Sequence, residues 1–226
     1  MESSNLDNNT LNALVETYVH LLGMRNAEVE RHSRRVAMLT VELAKAYGIS
    51  KRDRIHIWRG AMLHDIGKIF IPDQILQKEA PLTNAEYEVI RRHPVIAYKL
   101  LYQIPYFRPA LDIPYYHHEK WDGTGYPRGL KGKKIPLAAR LSTVVDVWDA
   151  LLSDRPYRPA WKPEDAKAYL LEQAGSHFDP QVVRVFAGVD EAPSPLNFEL
   201  YQQPISPPIP EDILWHEGQN LSGAMD

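Results

Sequence analysis

The chain has 226 residues, a formal charge of −3 and no cysteine. That length suits one good-sized domain with tails. The charge excludes a general attraction to nucleic acid or anionic membrane, and the missing thiols exclude disulfides, thiolate metal sites and cysteine nucleophiles. The opening MESSNLDNNT lacks the basic and apolar regions of a signal peptide, and no apolar run approaches the roughly 20 residues that span a bilayer. The expectation is a cytoplasmic protein with no membrane insertion and no DNA or RNA polymer as partner.

Leu11, Leu14, Val15, Val19 and Leu22 recur at helical spacing and predict a first helix from about Thr10 to Met24. A second is expected from Asn26 to Tyr47, with Val36, Leu39, Leu43 and Ala44 on its buried side and Gly48 just past its end. A third, from about Lys51, carries Ile55, Trp58, Ala61 and Met62 and delivers His64 and Asp65 near its end. The segment IFIPDQILQKEAPLT, broken by Pro72 and Pro81, reads as irregular. Thr83 with Glu86 is a capping box for a helix holding Val89, Ile90, Ile96, Leu100 and Leu101. A short helix after Pro105 and Pro109 leads to His117, and the glycines and prolines between Lys120 and Ile135 make a loop. Pro136 suits the first turn of a helix reaching about Ser153, and Pro163 and Asp179-Pro180 open two more.

No segment alternates apolar and polar residues with period two, so the predicted fold is an all-α bundle. Beyond Gly188 the chain turns proline-rich and loses helical periodicity. The expected division is an N-terminal helix or linker at 1–24, a main domain at 25–188 and a proline-rich tail at 189–226.

Several polar residues fall in suggestive company. Glu28 and His32 are one helical turn apart, His64-Asp65 is an adjacent pair followed by Lys68, His93 precedes a proline, and His117-His118-Glu119 precedes the glycine-rich loop. Asp146 and Asp149 lie on an otherwise apolar helix, where a carboxylate costs several kcal/mol unless it is paired or holds a cation. Taken singly, each residue has an ordinary structural reading: a hydrogen-bonded core histidine, an arginine-paired aspartate, a solvated glutamate. Together, Glu28, His32, His64, Asp65, His93, His117, His118 and Asp146 exceed what one octahedral ion uses, and suit two or three divalent ions sharing a carboxylate. Nitrogen and oxygen ligands without thiolate favour iron or manganese, with zinc as the alternative.

The pieces HSRRV, HDIGK, HPVI, HHEKWDGTGYP and DVWDALLSDRPYR, in this order across Glu28 to Phe186, resemble the HD-GYP family of bacterial cyclic di-GMP phosphodiesterases. The resemblance implies a helical bundle of the HD phosphohydrolase type with an irregular Gly-Tyr-Pro loop, opening cyclic di-GMP to linear pGpG and then GMP. It implies His32, His64, Asp65 and Asp146 as ligands shared by the wider HD hydrolases, with His93, His117 and His118 completing a second site. Glu28 matches a glutamate found in members proposed to hold a third metal. Asp65 and Lys68 are the implied catalytic residues, and Tyr126, Arg155 and Arg158 the implied substrate-binding ones. The ordinary readings are a helix-end lysine for Lys68, a loop brace for Tyr126, and surface pairs of either arginine with Asp154 or Glu164. Asp149 is expected to orient a ligand or a loop, Gly123 and Gly125 to permit positive φ, and His20, His56, His177 and His216 to carry no chemistry. Ala97, Phe70 and Glu79-Ala80 depart from the family pattern at positions that shape the cleft. Family members are commonly attached to a sensory domain, so a fused or associated sensory domain, or a homodimer, is expected. The rival readings are another cyclic dinucleotide or phosphoester as substrate, and a silent binding module.

Overall fold

A computed structural model of the chain describes residues 7–154 and 158–188. The proline-rich tail expected at 189–226 lies outside them. Among the described residues the architecture is all-α, with one isolated bridge between Ala174 and Phe178.

Helix α1 (Asn8–Gly23) begins where Asp7 accepts from the Thr10 amide, and it buries Leu11, Val15, Val19 and Leu22 against α2 (Ala27–Ala46) and α3 (Lys51–Met62). The segment expected as an N-terminal helix or linker thus buries these four residues inside this chain, while Leu21 and Met24 stay exposed. Asn26 caps α2 by accepting from the Glu28 and Val29 amides, and Ser50 caps α3 through the Asp53 amide. Buried Arg59 ties α3 to α1 by donating to Asn12 and Asn8.

After α3 the chain tightens into a 3₁₀ turn (Ile66–Phe70) and a short α4 (Asp73–Leu76). The capping box at Thr83 and Glu86 is present and opens α5 (Asn84–Ile90). The single helix expected to carry Val89 through Leu101 is in fact two, because α6 (His93–Tyr102) starts afresh after Arg91-Arg92 with Pro94 in its first turn. A proline there has no amide to donate and suits a helix start rather than an interior. The break sets His93 at a helix N-terminus, fully buried, and on α6 Leu100 is exposed.

A 3₁₀ turn (Pro105–Ala110) and α7 (Asp112–Tyr116) lead into His117. The glycine-rich loop follows, then α8 (Leu137–Leu152), α9 (Pro163–Glu172) and α10 (Pro180–Ala187). The core lies where α2 meets α3, α8 and α10, with Trp148 edge-on to Phe186 at 5.2 Å. Five segments turn polar faces to one side of this core: α2, the end of α3, the start of α6, the end of α7 and the middle of α8.

Candidate metal centre

His32 on α2 lies between two carboxylates of α8. Its Nδ1 is 2.7 Å from Asp149 Oδ2 and its Nε2 is 3.0 Å from Asp146 Oδ1. Burial opposes charge on this imidazole, yet the hydrogen bonds to Asp146 and Asp149 raise its pKa to about 9. Asp149 is fully buried and takes a forked pair from Arg35, Nε at 2.7 Å and Nη2 at 2.9 Å. Burial would raise its carboxyl, but His32 and Arg35 hold it well below the usual carboxylate range. Asp149 is thus both the arginine-paired aspartate of the ordinary reading and a group placed to fix the His32 ring. Arg35, one turn beyond His32, was legible only as one more cation on α2.

Three further imidazoles share one device. His64 Nδ1 meets Ala61 O at 2.7 Å, His93 Nδ1 meets Ile90 O at 2.7 Å, and His117 Nδ1 meets Ile113 O at 3.0 Å. A carbonyl only accepts, so each Nδ1 carries a proton, and in the neutral tautomer this selects, Nε2 is the atom left to present a lone pair. Those lone pairs converge. His93 Nε2 and His117 Nε2 stand 3.2 Å apart, and His64 Nε2 is buried without a hydrogen-bond partner among the described residues. Burial pushes His93 down to about 4 and His118 to about 3, and burial with neighbouring imidazoles pushes His117 well below its ordinary value. Lone pairs of buried nitrogens facing one another repel unless a cation sits among them, so the residues present fit a metal.

The ligand atoms fall into three groups, each lying within 4.8 Å: His32, His64 and Asp146; His64, Asp65 and His117; and His93, His117 and His118. His64 and His117 each belong to two groups, so the positions adjoin. Asp65 Oδ2 is 2.6 Å from Lys68 Nζ and 3.4 Å from His64 Nε2, and its Oδ1 is 3.4 Å from His93 Nε2. Burial raises the Asp65 carboxyl, but Lys68 and the histidines hold it well below normal. Glu28 lines the cavity but stands outside the three groups. Its carboxylate accepts from Arg31 Nε at 2.8 Å and Arg35 Nη2 at 2.9 Å.

Above the cluster lies a cavity of about 510 Å³, lined among others by Lys68, Tyr87, Lys120, Tyr126, Arg158 and His177. The Tyr126 ring stacks on His118 at 4.8 Å, and the Arg91 guanidinium lies over the same ring at 4.6 Å. Arg158 pairs with neither Asp154 nor Glu164 among the described contacts. It donates to the carbonyls of Ala150 (2.8 Å) and Leu151 (3.1 Å), closing the C-terminus of α8. Arg155 lies outside the described residues.

The Gly-Tyr-Pro loop is held by Glu119, a role that its place in the sequence does not announce. Glu119 is buried, and its two carboxylate oxygens accept from the amides of Arg128 (2.7 Å) and Leu130 (2.9 Å). Gly123 has the expected positive φ of 89°, whereas Gly125 is required for closeness. A Cβ on Gly125 would come within 2.3 Å of Lys120 N and 2.5 Å of His118 O. Gly67 meets the same constraint, its would-be Cβ lying 2.0 Å from His93 O. His177, given no chemistry from the sequence, lines the cavity.

Residues 16–182 match the HD domain family. This chain belongs to that family. It is 43% identical over 176 residues, 77% of its own length and 46% of the relative's, to the cyclic di-GMP phosphodiesterase response regulator RpfG of Xanthomonas campestris pv. campestris. It is 36% identical over 201 residues, 89% of its length and 43% of the relative's, to 3′3′-cGAMP-specific phosphodiesterase 3 of Vibrio cholerae. The chain thus spans less than half the length of these relatives. In fold it is similar to Bd1817, an HDG"Y"P protein from Bdellovibrio bacteriovorus, with a TM-score of 0.60 at 21% identity, covering 82% of this chain and 63% of that one. The HD-GYP reading agrees with these relatives. An HD domain implies divalent metal binding, and the histidine and aspartate groups here could hold such ions. No helix among the described residues is long and apolar enough to cross a membrane.

Proposed function

We propose that this HD domain hydrolyses the 3′,5′-phosphodiester bonds of cyclic di-GMP, giving linear pGpG and then GMP. The observation that carries the reading is the convergence of unprotonated imidazole nitrogens with Asp65 and Asp146 at the floor of the 510 Å³ cavity. That volume is in the range of small-molecule sites. The relatives named for cyclic dinucleotide hydrolysis support the substrate class.

We assign two adjoining divalent ions, iron or manganese with zinc as the alternative, to His32, His64, Asp65 and Asp146 and to His93, His117 and His118. Glu28 would serve a third only by leaving Arg31 and Arg35. When bound, such ions supply Lewis acidity towards phosphoryl oxygen and acidify water. The chain's own residues supply the rest. His64, His93 and His117 are held ready by backbone carbonyls, and Asp149 and Arg35 fix the His32 ring. Lys68 Nζ lies beside Asp65, where positive charge offsets charge developing on the phosphoryl oxygens. The Tyr126 ring walls the cavity beside His118, and Arg158 adds a cation at its edge. We assign the catalytic unit to residues 25–188, working in the cytoplasm. The greater length of the relatives supports a fused or associated sensory domain, and we keep a homodimer as the other form of assembly.

The second reading is 3′3′-cGAMP as substrate, favoured by the 36% identity to a relative named for it. Incubation of metal-replete protein with each cyclic dinucleotide, followed by product chromatography, separates the two. The expected outcome is faster loss of cyclic di-GMP, with pGpG appearing before GMP. Faster loss of 3′3′-cGAMP transfers the substrate, persistent pGpG removes the second step, and binding without turnover establishes a silent module.

A further inference from the structure

The segment between α9 and α10 reaches into the cavity with a residue that the cluster leaves unused. The turn from Gln173 to Phe178 is internally tied: the amides of His177 (3.0 Å) and Phe178 (3.2 Å) donate to Gln173 O, and Gly175 N donates to Phe178 O at 2.8 Å. It is also pinned to the start of the Gly-Tyr-Pro loop, because Trp121 N donates to His177 O at 3.0 Å and Asp122 N to Ser176 O at 2.8 Å. The His177 ring lies flat on buried Phe178, centroids 4.2 Å apart and planes 11° from parallel. Both the backbone and one face of the ring are therefore fixed before any ligand arrives.

The ring lines the cavity, and no hydrogen bond engages its nitrogens among the described residues. The charged groups that act on it are Lys120 and Asp122 from the loop and Asp146 from the cluster. Burial, with Lys120 next, lowers the imidazole to about 4, so at neutral pH it is an uncharged donor and acceptor. The imidazole lines the same cavity as Asp146 and the other candidate ligands, so a phosphodiester seated on the cluster would bring its sugar-phosphate backbone, rather than its bases, into that part of the cavity. Preorganised donors of this kind hold a substrate without the entropy loss of ordering a long side chain.

We infer that His177 is a substrate-positioning residue, hydrogen-bonding the sugar-phosphate backbone of the bound cyclic dinucleotide from the α9–α10 turn. The inference rests on the phosphodiesterase reading, so wild-type turnover and binding of cyclic di-GMP are measured first. The variants His177→Ala and His177→Gln are then compared for KM, kcat, bound metal and thermal midpoint, on cyclic di-GMP and 3′3′-cGAMP. For the alanine variant, the loss of one hydrogen bond predicts a KM raised about five- to tenfold for both substrates, with kcat changed by less than about twofold. Metal content should stay at the wild-type level, and glutamine should restore part of the KM. Unchanged KM in a folded, metal-loaded alanine variant overturns the inference alone. A KM effect confined to one dinucleotide overturns the backbone assignment, because it reports a base contact. Loss of metal with loss of activity overturns it in favour of a structural role. Absence of both turnover and binding in the wild type contradicts the phosphodiesterase reading itself.

Discussion

Gly125 and Asp149 each do one identifiable job, and each can be tested alone. A methyl group on Gly125 meets backbone on three sides, at Lys120 N, Glu119 Cα and His118 O, and backbone cannot step aside as a flexible side chain can. Gly125→Ala should destabilise the protein by about 1–3 kcal/mol, the usual cost of overpacking, and a thermal melt would register it. An unchanged midpoint would show that the loop has slack. Asp149→Asn keeps the shape but removes the charge between His32 and Arg35, so metal affinity should drop about 10- to 100-fold in a manganese titration. Unchanged affinity would mean that Asp149 does not orient His32. Residue types made much of this site readable, since histidine and aspartate on apolar helix faces demand a partner. The exceptions share one cause. Glu119 works on amides nine and eleven residues downstream, and His177 belongs to the cavity through a turn docked on Trp121; neither partnership leaves a periodic trace in the sequence.

His64, Asp65, His93, His117 and His118 lie at helix ends, whereas His32 and Asp146 lie inside α2 and α8, so small errors in element boundaries matter for five of the candidate ligands. The cap of α5 was readable because Thr83 and Glu86 form a capping box, and the starts of α2 and α3 fell beside Asn26 and Ser50, which cap them in the structure. The break between α5 and α6 was masked because apolar spacing runs on through Val89, Ile90 and Ile96. Only Pro94 signalled a new start, and that start is what brings His93 Nε2 to His117. Thr83→Ala removes the capping box and should lower stability by about 1 kcal/mol in a denaturant titration while leaving bound metal unchanged, since α5 supplies no candidate ligand. Metal loss in that variant would show that α5 and the His93 shell unfold together.

Across the whole molecule, five segments meet at one cluster, so folding, protonation and metal binding are linked. The all-α class was legible throughout, because helical periodicity recurs and period-two alternation does not. The packing of α1 into the core was not, since an amphipathic helix does not name the surface it covers. The linkage gives metal-free protein a definite pH profile. His93 and His118 titrate at about 4 and about 3 when folded against 6.5 in the unfolded chain, so the unfolded state binds more protons and stability falls as pH drops below 6.5. His32 acts with the opposite sign. Its contribution is complete below 6.5 and is lost as pH rises towards about 9. The thermal midpoint of metal-free protein should therefore peak near pH 6.5, and a flat profile between pH 4 and 9 would contradict the protonation pattern.

Under the proposed function, the cluster holds divalent ions and those ions make the chain a phosphodiesterase. The most direct test is elemental analysis of anaerobically purified protein, with the same sample assayed on cyclic di-GMP. The expected result is about two equivalents of iron or manganese with hydrolysis to pGpG, and loss of both in His64→Ala and Asp65→Ala. Hydrolysis that survives complete removal of metal, or a fully loaded protein that leaves cyclic di-GMP and 3′3′-cGAMP intact, would contradict it.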